Sequence, residues 1–285
     1  MATYYIATTG NDTTGNGSSG NPWATLSKAY SSSTAGDTII CAAGTYTWAT
    51  QTFSSTRTIT GAALSNGLPT TIFDGGGASV SDAARWACSS VNITISNVWF
   101  RNLTLTANAY GIGGYSYQNA NLIALTNVVF SSITFGGANC GVLGGLNATT
   151  PLTLTNCLIY NITRAAAYSD NAIFYLYGAG NAAVAVTINN LTYYAALSSY
   201  PIAMFKHSSP NVITLKNSVM QSVSSVAFGS GNSPTYTYSY SCANGFTSPP
   251  SGSNNITSDP LFVDAAAGNF RLRPTSPCLN TGVAV

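Results

Sequence analysis

Few residues in this sequence could carry acid–base chemistry. The 285 residues include seven Asp, no Glu and one His, with nine Lys and Arg. Paired carboxylates can act as general acid and general base. However, Asp37, Asp74, Asp259 and Asp264 stand in turn-like segments, where turn and capping roles explain them. The set of candidate catalytic groups is therefore small before any fold is considered.

The weak catalytic candidates that remain are Asp82, Arg85, Asp170, Lys206 and His207. A carboxylate beside a base, such as Asp82 with Arg85 or Asp170 with Lys206, could serve an elimination reaction. Nothing in the spacing requires this, because Asp82 and Asp170 are 88 residues apart. His207 follows Lys206 just before a strand, which favours a loop role for the pair. We therefore expect structural or solvated roles for Asp82 and Asp170, and the residues lean against an enzyme without deciding the question.

The composition excludes several classes of protein. Charged residues make up 6% of the chain and the net charge is +2 without a basic cluster, so no nucleic-acid partner is expected. No segment is long and apolar enough for membrane insertion. The N-terminus lacks the basic and apolar regions of a secretory signal. The 45% hydrophobic content argues against disorder.

The six cysteines form no CxxC pair and no His cluster accompanies them, so we expect no metal and no cofactor. Cys157 lies in a strand-like run and is expected to be a small buried apolar residue. For Cys140, Cys242 and Cys278 the choice between free thiol and disulfide stays open.

A repeat centred on Asn dominates the middle of the chain. Its members are Asn97, Asn127, Asn156, Asn190 and Asn217, spaced by 30, 29, 34 and 27 residues. Aliphatic residues stand two and four positions before each Asn, and apolar ones three and six positions after it. Alternation of this kind predicts strands with one buried face. Stacked coils with loops of unequal length would place the five amides in a ladder at a bend between two strands.

Both ends of the chain fit a capped stack. The segment after Pro22 predicts a short amphipathic helix that could cover one end, and the turn-rich DPLFVDAAAGNFRLRPTSPCLNTG could close the other. We predict a single domain over 1–285. Its parts are a cap and first coil (1–50), stacked coils (51–230) and a closing segment (231–285).

These segments resemble the pectate-lyase-like superfamily. The matching parts are NPWATLSKAYSSSTAGDTIICAAGTYT, TITG…TTIFDGGG, the Asn-centred coils and the closing segment. The resemblance implies an all-β fold, a right-handed single-stranded parallel β-helix (β-solenoid) with a short N-terminal capping helix. It is less specific for function, because this architecture carries lyases, hydrolases, adhesins and phage tail or head appendages.

Tyrosines suggest a ligand surface. Tyr117, Tyr177 and Tyr238 lie 20, 21 and 21 residues after the Asn of their coils. Stacking would place them on one lateral face, where exposed rings could bind a glycan. The alternative is that their rings fill a wide core, and both interpretations stay open.

The leading functional hypothesis is a non-catalytic structural or recognition protein on the exterior of a phage particle, such as a spike, fibre or capsid decoration. Its location would be the virion surface or the extracellular space. Its partners would be further copies of itself, as in a homotrimer, other virion proteins, or a cell-surface glycan.

Three alternatives come from other classes. They are a polysaccharide lyase or glycosidase of the β-helix type, a secreted adhesin or extracellular fibre subunit, and an ice-binding solenoid. The last ranks lowest, because a regular Thr-x-Thr array at constant coil length is missing from the sequence.

Overall fold

The protein is described by a computed structural model. The described residues are 1–114, 122–144, 151–166, 171–176, 185–195, 202–207, 211–227, 229–231, 234–247 and 251–284. The chain forms a right-handed parallel β-helix, as predicted. Each full coil contributes one strand to each of three parallel sheets, here called sheets I, II and III.

Sheet I has nine strands, and its inward positions are the aliphatic residues that precede each Asn. The strands, in spatial order, are β1 (Thr3–Ile6), β2 (Thr38–Cys41), β5 (Arg57–Gly61), β8 (Asn92–Ser96), β11 (Leu122–Thr126), β14 (Leu152–Thr155), β17 (Ala185–Asn189), β20 (Val212–Lys216) and β23 (Thr235–Ser239). Their period-two alternation buries every second residue, as Ile93 and Ile95 illustrate.

Sheet II has eight strands and follows the Asn bend. Its strands are β3 (Gly44–Thr47), β6 (Thr71–Ser81), β9 (Val98–Ala107), β12 (Val129–Phe135), β15 (Leu158–Arg164), β18 (Thr192–Ala195), β21 (Val219–Ala227) and β24 (Cys242–Thr247). The longer strands bend at residues with positive φ such as Asn102, Ser132 and Asn161.

Sheet III has seven strands and completes the coil. Its strands are β4 (Gln51–Phe53), β7 (Ala84–Cys88), β10 (Tyr110–Gly114), β13 (Gly141–Gly144), β16 (Ala172–Leu176), β19 (Ala203–His207) and β22 (Gly229–Gly231). A separate antiparallel hairpin, β25 (Phe262–Asp264) with β26 (Asn269–Leu272), follows the last coil.

Stacked rings fill the interior between the sheets. Phe73, Phe100 and Phe130 occupy equivalent positions of successive coils, with ring centroids 5.7 and 5.3 Å apart. Trp86 packs edge-on against Phe100 at 4.8 Å. Offset and edge-to-face contacts of this kind add to the hydrophobic stabilisation from burial.

The predicted capping helix exists, but it begins later than expected. Helix α1 spans Leu26–Ser32, with the Thr25 side chain accepting a hydrogen bond from the Lys28 N–H. The segment just after Pro22 is extended instead, because Trp23 forms a parallel bridge with Ile6 at the end of β1. Leu26 and Ala29 are the buried residues of the helix.

Within the described residues, no helix has the length and apolar character needed to cross a membrane.

Candidate functional site

The Asn residues of the repeat share one corner between sheets I and II. Asn97, Asn127, Asn156, Asn190 and Asn217 all have φ between 51° and 58°. Asn is one of the few non-Gly residues that enters this left-handed region readily, which explains its recurrence at the bend. The corner therefore needs Asn for its backbone as well as for its amide.

The amides form a ladder in two parts. Asn127 Nδ2 donates to Asn97 Oδ1 at 2.9 Å, and Asn190 Nδ2 donates to Asn156 Oδ1 at 2.9 Å. Asn217 instead bonds the backbone of Val283, donating to its carbonyl at 2.6 Å and accepting from its N–H at 2.9 Å. The C-terminal segment is thereby tied to the corner.

No hydrogen bond joins Asn127 to Asn156, so the ladder is interrupted there. Among the described residues, Asn127 Oδ1 and Asn156 Nδ2 are left without a side-chain or backbone partner. Both residues line a cavity of about 240 Å³ on the sheet II side of the corner. A free acceptor and a free donor at one wall of a cavity are suited to a hydroxyl-bearing ligand.

We call this cavity and its extension along sheet II the ladder groove. Its floor is an outward row of sheet II in which Val129, Leu158 and Thr192 stack in register. Leu68, Pro69 and Phe270 of the closing hairpin also line the cavity. The groove thus combines an apolar floor, amide groups and an aromatic wall.

Aromatic rings flank the ladder groove at one end and along the neighbouring outward row of sheet II. Trp99 pairs with Val129 at the end of the floor row and donates from Nε1 to Ser131 Oγ at 2.7 Å. Tyr160 lies 6.4 Å from Trp99 and 5.0 Å from Phe270, measured between ring centroids. Tyr194 contacts Phe270 at 5.8 Å. None of these four rings is fully buried, so together they offer apolar faces to a ligand.

One ion pair lies next to Trp99. Arg101 Nε donates to Asp74 Oδ2 at 2.7 Å, and the guanidinium lies 5.7 Å from the Trp99 ring centroid. The two terminal nitrogens of Arg101 make no hydrogen bond within the described residues, and its side chain is 32% exposed. They are therefore available to a carboxylate or a hydroxyl from solution.

Asp74 is held as a carboxylate. Partial burial alone would raise its pKa, but the Gly76 N–H, the Asn102 amide and Arg101 outweigh that effect, and the pKa lies below its ordinary value. Asn102 Nδ2 donates to both carboxylate oxygens, at 3.0 and 2.9 Å. A carboxylate so satisfied is unsuited to act as a general acid near neutral pH.

Asp82 and Arg85, two of the weak catalytic candidates, make separate structural contacts. Asp82 heads another ladder at the sheet II–III corner, where Asn108 Nδ2 donates to Asp82 Oδ1 and Asn139 Nδ2 donates to Asn108 Oδ1, both at 2.9 Å. The Asn108 amide lowers the pKa of Asp82. Arg85 donates from Nε to the Trp48 carbonyl, and burial lowers its pKa. The described ion pairs do not include these two residues.

The other weak candidates are not brought into the ladder groove. Lys206 and His207 belong to β19 in sheet III, a different face of the solenoid, so the loop role expected for them was wrong. Their backbones pair with Tyr175 and Leu176. Asp170 lies outside the described residues.

The structure describes one of the three tyrosines that were predicted to bind a glycan. Tyr238 lies in β23 of sheet I with 3% of its surface exposed, because the alternation of that strand turns it inward. Its ring cannot stack on a glycan from solution. Tyr117 and Tyr177 lie outside the described residues.

A larger cavity of about 310 Å³ lies beside the N-terminus of α1. Threonines such as Thr45, Thr47 and Thr50 line it, over a floor that includes Phe73 and Trp86. Tyr46 is its one titratable lining residue, and burial raises the pKa of that phenol. We favour the smaller ladder groove as the functional site, because it combines free amide groups with an adjacent charged pair.

Sequence reasoning missed the rows that build the ladder groove. Trp99 and Arg101 stand two and four positions after Asn97, and Tyr160 stands four positions after Asn156. These offsets carry outward side chains, so aligning the +2 and +4 positions as well as the inward ones would have found them.

The chemical groups at the ladder groove are suited to contact a polar ligand. Glycosidases use two carboxyl groups about 5 to 10 Å apart, whereas the described residues that line the cavity include no carboxylate and Asp74, near Trp99, is held in an ion pair. What the site offers is stacking faces, amide groups and a partly free guanidinium.

Comparison with known proteins identifies a family model and several related folds. A model described as "Protein of unknown function (DUF1565)" matches residues 8–218. No curated protein matches the chain.

Among solved structures, pectate lyase Pel9A matches with a TM-score of 0.55 and 16% identity, covering 100% of this chain and 92% of that one. A rhamnogalacturonan lyase matches with a TM-score of 0.45 and 15% identity, covering 100% and 95%. A pectin methylesterase from Aspergillus niger matches with a TM-score of 0.47 and 14% identity, covering 90% and 85%.

The pectate lyase likeness supports the β-helix fold. None of the comparisons supports the expected resemblance to phage spikes, fibres or decoration proteins.

Proposed function

The chain belongs to the DUF1565 family of proteins of unknown function, and from that premise we propose that it recognises a polysaccharide along the ladder groove. The observation that carries the proposal is the interrupted Asn ladder. It leaves Asn127 Oδ1 and Asn156 Nδ2 facing a cavity whose extension is lined by aromatic rings.

The chemistry of the groove fits a sugar chain. Sugar rings have apolar C–H faces that pack on Trp99, Tyr160 or Phe270, and hydroxyls that can both donate to and accept from amides. The groove is also elongated, because its floor row crosses several coils at about 4.8 Å per step. A polymer would contact several coils at once.

Arg101 points to an acidic polymer. Its free terminal nitrogens can hold a carboxylate by two parallel hydrogen bonds, the geometry in which Arg is strongest. Pectate, the substrate named for one structural neighbour, is therefore the first polymer to try. The likeness itself supports the fold and leaves the ligand to be tested.

The test is calorimetric titration with pectate and with a neutral glucan. We expect binding of pectate that falls several-fold in Arg101→Gln and in Trp99→Ala, with the neutral glucan insensitive to Arg101→Gln. Lys28→Gln on the capping helix removes the same charge away from the groove and serves as the matched control. Loss of binding in that control, or unchanged binding in both groove variants, would overturn the proposal.

The second candidate function is a polysaccharide lyase, favoured by Arg101, whose guanidinium could neutralise the carboxylate of a uronate and so acidify its C5–H. Elimination would move the C5 proton of the uronate to a water molecule, form a C4–C5 double bond from the C–H electron pair, and expel the glycosidic oxygen at C4, which takes up a proton from water. Release of unsaturated uronate from pectate, lost in Arg101→Gln, would establish it.

Self-association and a location on a virion or outside the cell stay predictions from the sequence.

A further inference from the structure

Sheet I carries a second feature, on the face next to the ladder corner. In its nine strands, one outward position is Thr in every strand but one. The row, in spatial order, is Thr3, Thr38, Thr58, Thr94, Ala124, Thr153, Thr187, Thr214 and Thr237.

A parallel row stands two residues later in each strand. It contains four consecutive hydroxyl side chains, Thr60, Ser96, Thr126 and Thr155, in the middle of the sheet. Asn189 and Lys216 continue the row toward one end. Between the two rows, the intervening residues such as Ile95 and Leu154 point inward and are buried. The middle of sheet I therefore displays two parallel rows of hydroxyl side chains interrupted at Ala124, and Thr-x-Thr itself occurs at Thr58/Thr60 and Thr153/Thr155.

These hydroxyls are largely unused by the protein. Ser96 Oγ donates to Thr60 Oγ1 at 3.2 Å. The Thr94, Thr153 and Thr187 hydroxyls have no hydrogen bond within the described residues. None of the side chains in the two rows is buried. Lys216 is the one charged residue of the two rows, all of whose members are described.

The array is regular because the register of sheet I is unbroken. The pairings of sheet II include register shifts, as between Asp74 and Ala78, whereas the sheet I pairings include none among the described strands. Adjacent strands stand about 4.8 Å apart, and alternate residues of one parallel strand about 6.6 Å apart. The hydroxyls thus form a two-dimensional lattice with these repeats.

Ice presents a similar lattice. With oxygen–oxygen hydrogen bonds of about 2.8 Å and tetrahedral angles, its oxygens repeat at about 4.5 Å in the hexagonal layer and about 7.4 Å along the axis. The protein repeats differ from these by roughly a tenth. From this match, the unused hydroxyls and the scarcity of charge, we propose that the Thr face of sheet I binds ice.

The physical mechanism is ordering of water on a rigid template. Threonine methyl groups restrict water motion between the rows, while the hydroxyls fix water positions at the spacing of the crystal. Adsorption of the protein would prevent growth of the covered ice plane, so that the freezing point falls below the melting point.

The test is thermal hysteresis and inhibition of ice recrystallisation in the whole chain. We expect activity above that of a globular control protein, a several-fold loss in Thr153→Lys, and a gain in Ala124→Thr, which fills the gap in the row. Thr134→Lys is the matched control, because Thr134 is an outward Thr of sheet II. Circular dichroism would establish that each variant keeps its sheets.

Three outcomes would overturn the proposal. The first is activity no higher than that of the globular control. The second is equal loss of activity in Thr153→Lys and Thr134→Lys. The third is a dimer, seen by light scattering, that Thr153→Lys separates into monomers, since the occupant of the face would then be a second copy of the chain. None of these outcomes bears on polysaccharide binding, which uses the other side of the corner.

Discussion

Arg101 on one coil donates a hydrogen bond to Asp74 on the coil before it, across 27 residues of sequence, at 2.7 Å. The ion pair fixes the guanidinium beside Trp99 while leaving its terminal nitrogens open. The contacts of Arg101 with Asp74 and Trp99 therefore set how strongly its guanidinium can bind a ligand.

Replacing Asp74 with Asn should strengthen binding of an acidic polysaccharide. The variant removes the competing negative charge and frees Arg101 Nε for the ligand. We expect higher affinity for pectate with no change for a neutral glucan, measured by calorimetry. The cost in stability should stay near 1 kcal/mol or less, because both side chains are partly exposed. Weaker pectate binding would instead mean that Asp74 positions Arg101 for the ligand.

Asp37 should make stability fall in acid. It accepts hydrogen bonds from the Ala2 N–H and from the Thr34 N–H and hydroxyl, and the backbone donors lower its pKa to about 2. The unfolded carboxyl titrates near 3.9. A lowered folded pKa means that the stabilisation is complete above the unfolded value and is lost as the pH falls toward 2.

We therefore expect Asp37→Asn to lower the melting temperature at pH 6. The difference in melting temperature between variant and wild type should become smaller between about pH 4 and pH 2. Asp264→Asn, an exposed carboxylate in the closing hairpin, is the control. A gap that stayed constant with pH would show that charge is not what Asp37 contributes.

Two substitutions at Asn127 can separate the contribution of its backbone conformation from that of its amide. Its φ of 54° is left-handed and its amide donates to Asn97. Asn127→Gly keeps the backbone freedom and loses the amide, whereas Asn127→Ala loses both. We expect Ala to destabilise the fold by about 1–2 kcal/mol more than Gly does, measured by denaturant unfolding. Equal losses would mean that the hydrogen bond matters and the backbone conformation does not.

Thiol chemistry should single out Cys278. Burial raises the pKa of Cys140 to about 11 and of Cys88 and Cys157 to about 12, and Cys41 is also fully buried. Cys278 is half-buried, and a hydrogen bond from the Cys242 thiol lowers its pKa.

Native protein should thus react rapidly with a thiol reagent at Cys278 and slowly at the buried cysteines, followed by mass spectrometry of peptides. Denatured protein, in which all six thiols are exposed, supplies the reference. Rapid modification of Cys157 in the native state would contradict the burial of that residue.

Much of the architecture was predictable because the inward positions repeat. The residues two and four before each Asn, and three after it, are buried as predicted in every aligned coil, as Ile95, Leu154 and Phe100 show. The cap and the strand order followed from the same logic. The start of α1 lies later than predicted because Trp23 forms a parallel bridge with Ile6 and the segment after Pro22 is therefore extended.

The site was harder to predict because its residues meet across coils. Asp74 follows β5 through the longer segment between Gly61 and Thr71, which replaces the usual bend and whose Asn66 does not share the spacing of the repeat. Alignment on Asn could not place it beside Arg101. The Thr array is hard to predict for a related reason, because coils of unequal length do not indicate a regular face. In fact Thr94, Thr153 and Thr187 stand at the same distance before their Asn, and the length differences lie elsewhere in the coil.

The strand register of sheet I is constant although the coils differ in length. Sequence changes in the connections and in the paired strands therefore have different effects on the structure. Insertions and deletions in the connections alter the outline of one coil, while the alignment of its neighbours is kept by backbone pairing. Two descendants of one ancestor could thus differ greatly in length and still present identical faces to the outside. Comparing such chains coil by coil would therefore reveal a relationship that an alignment of the whole sequences misses.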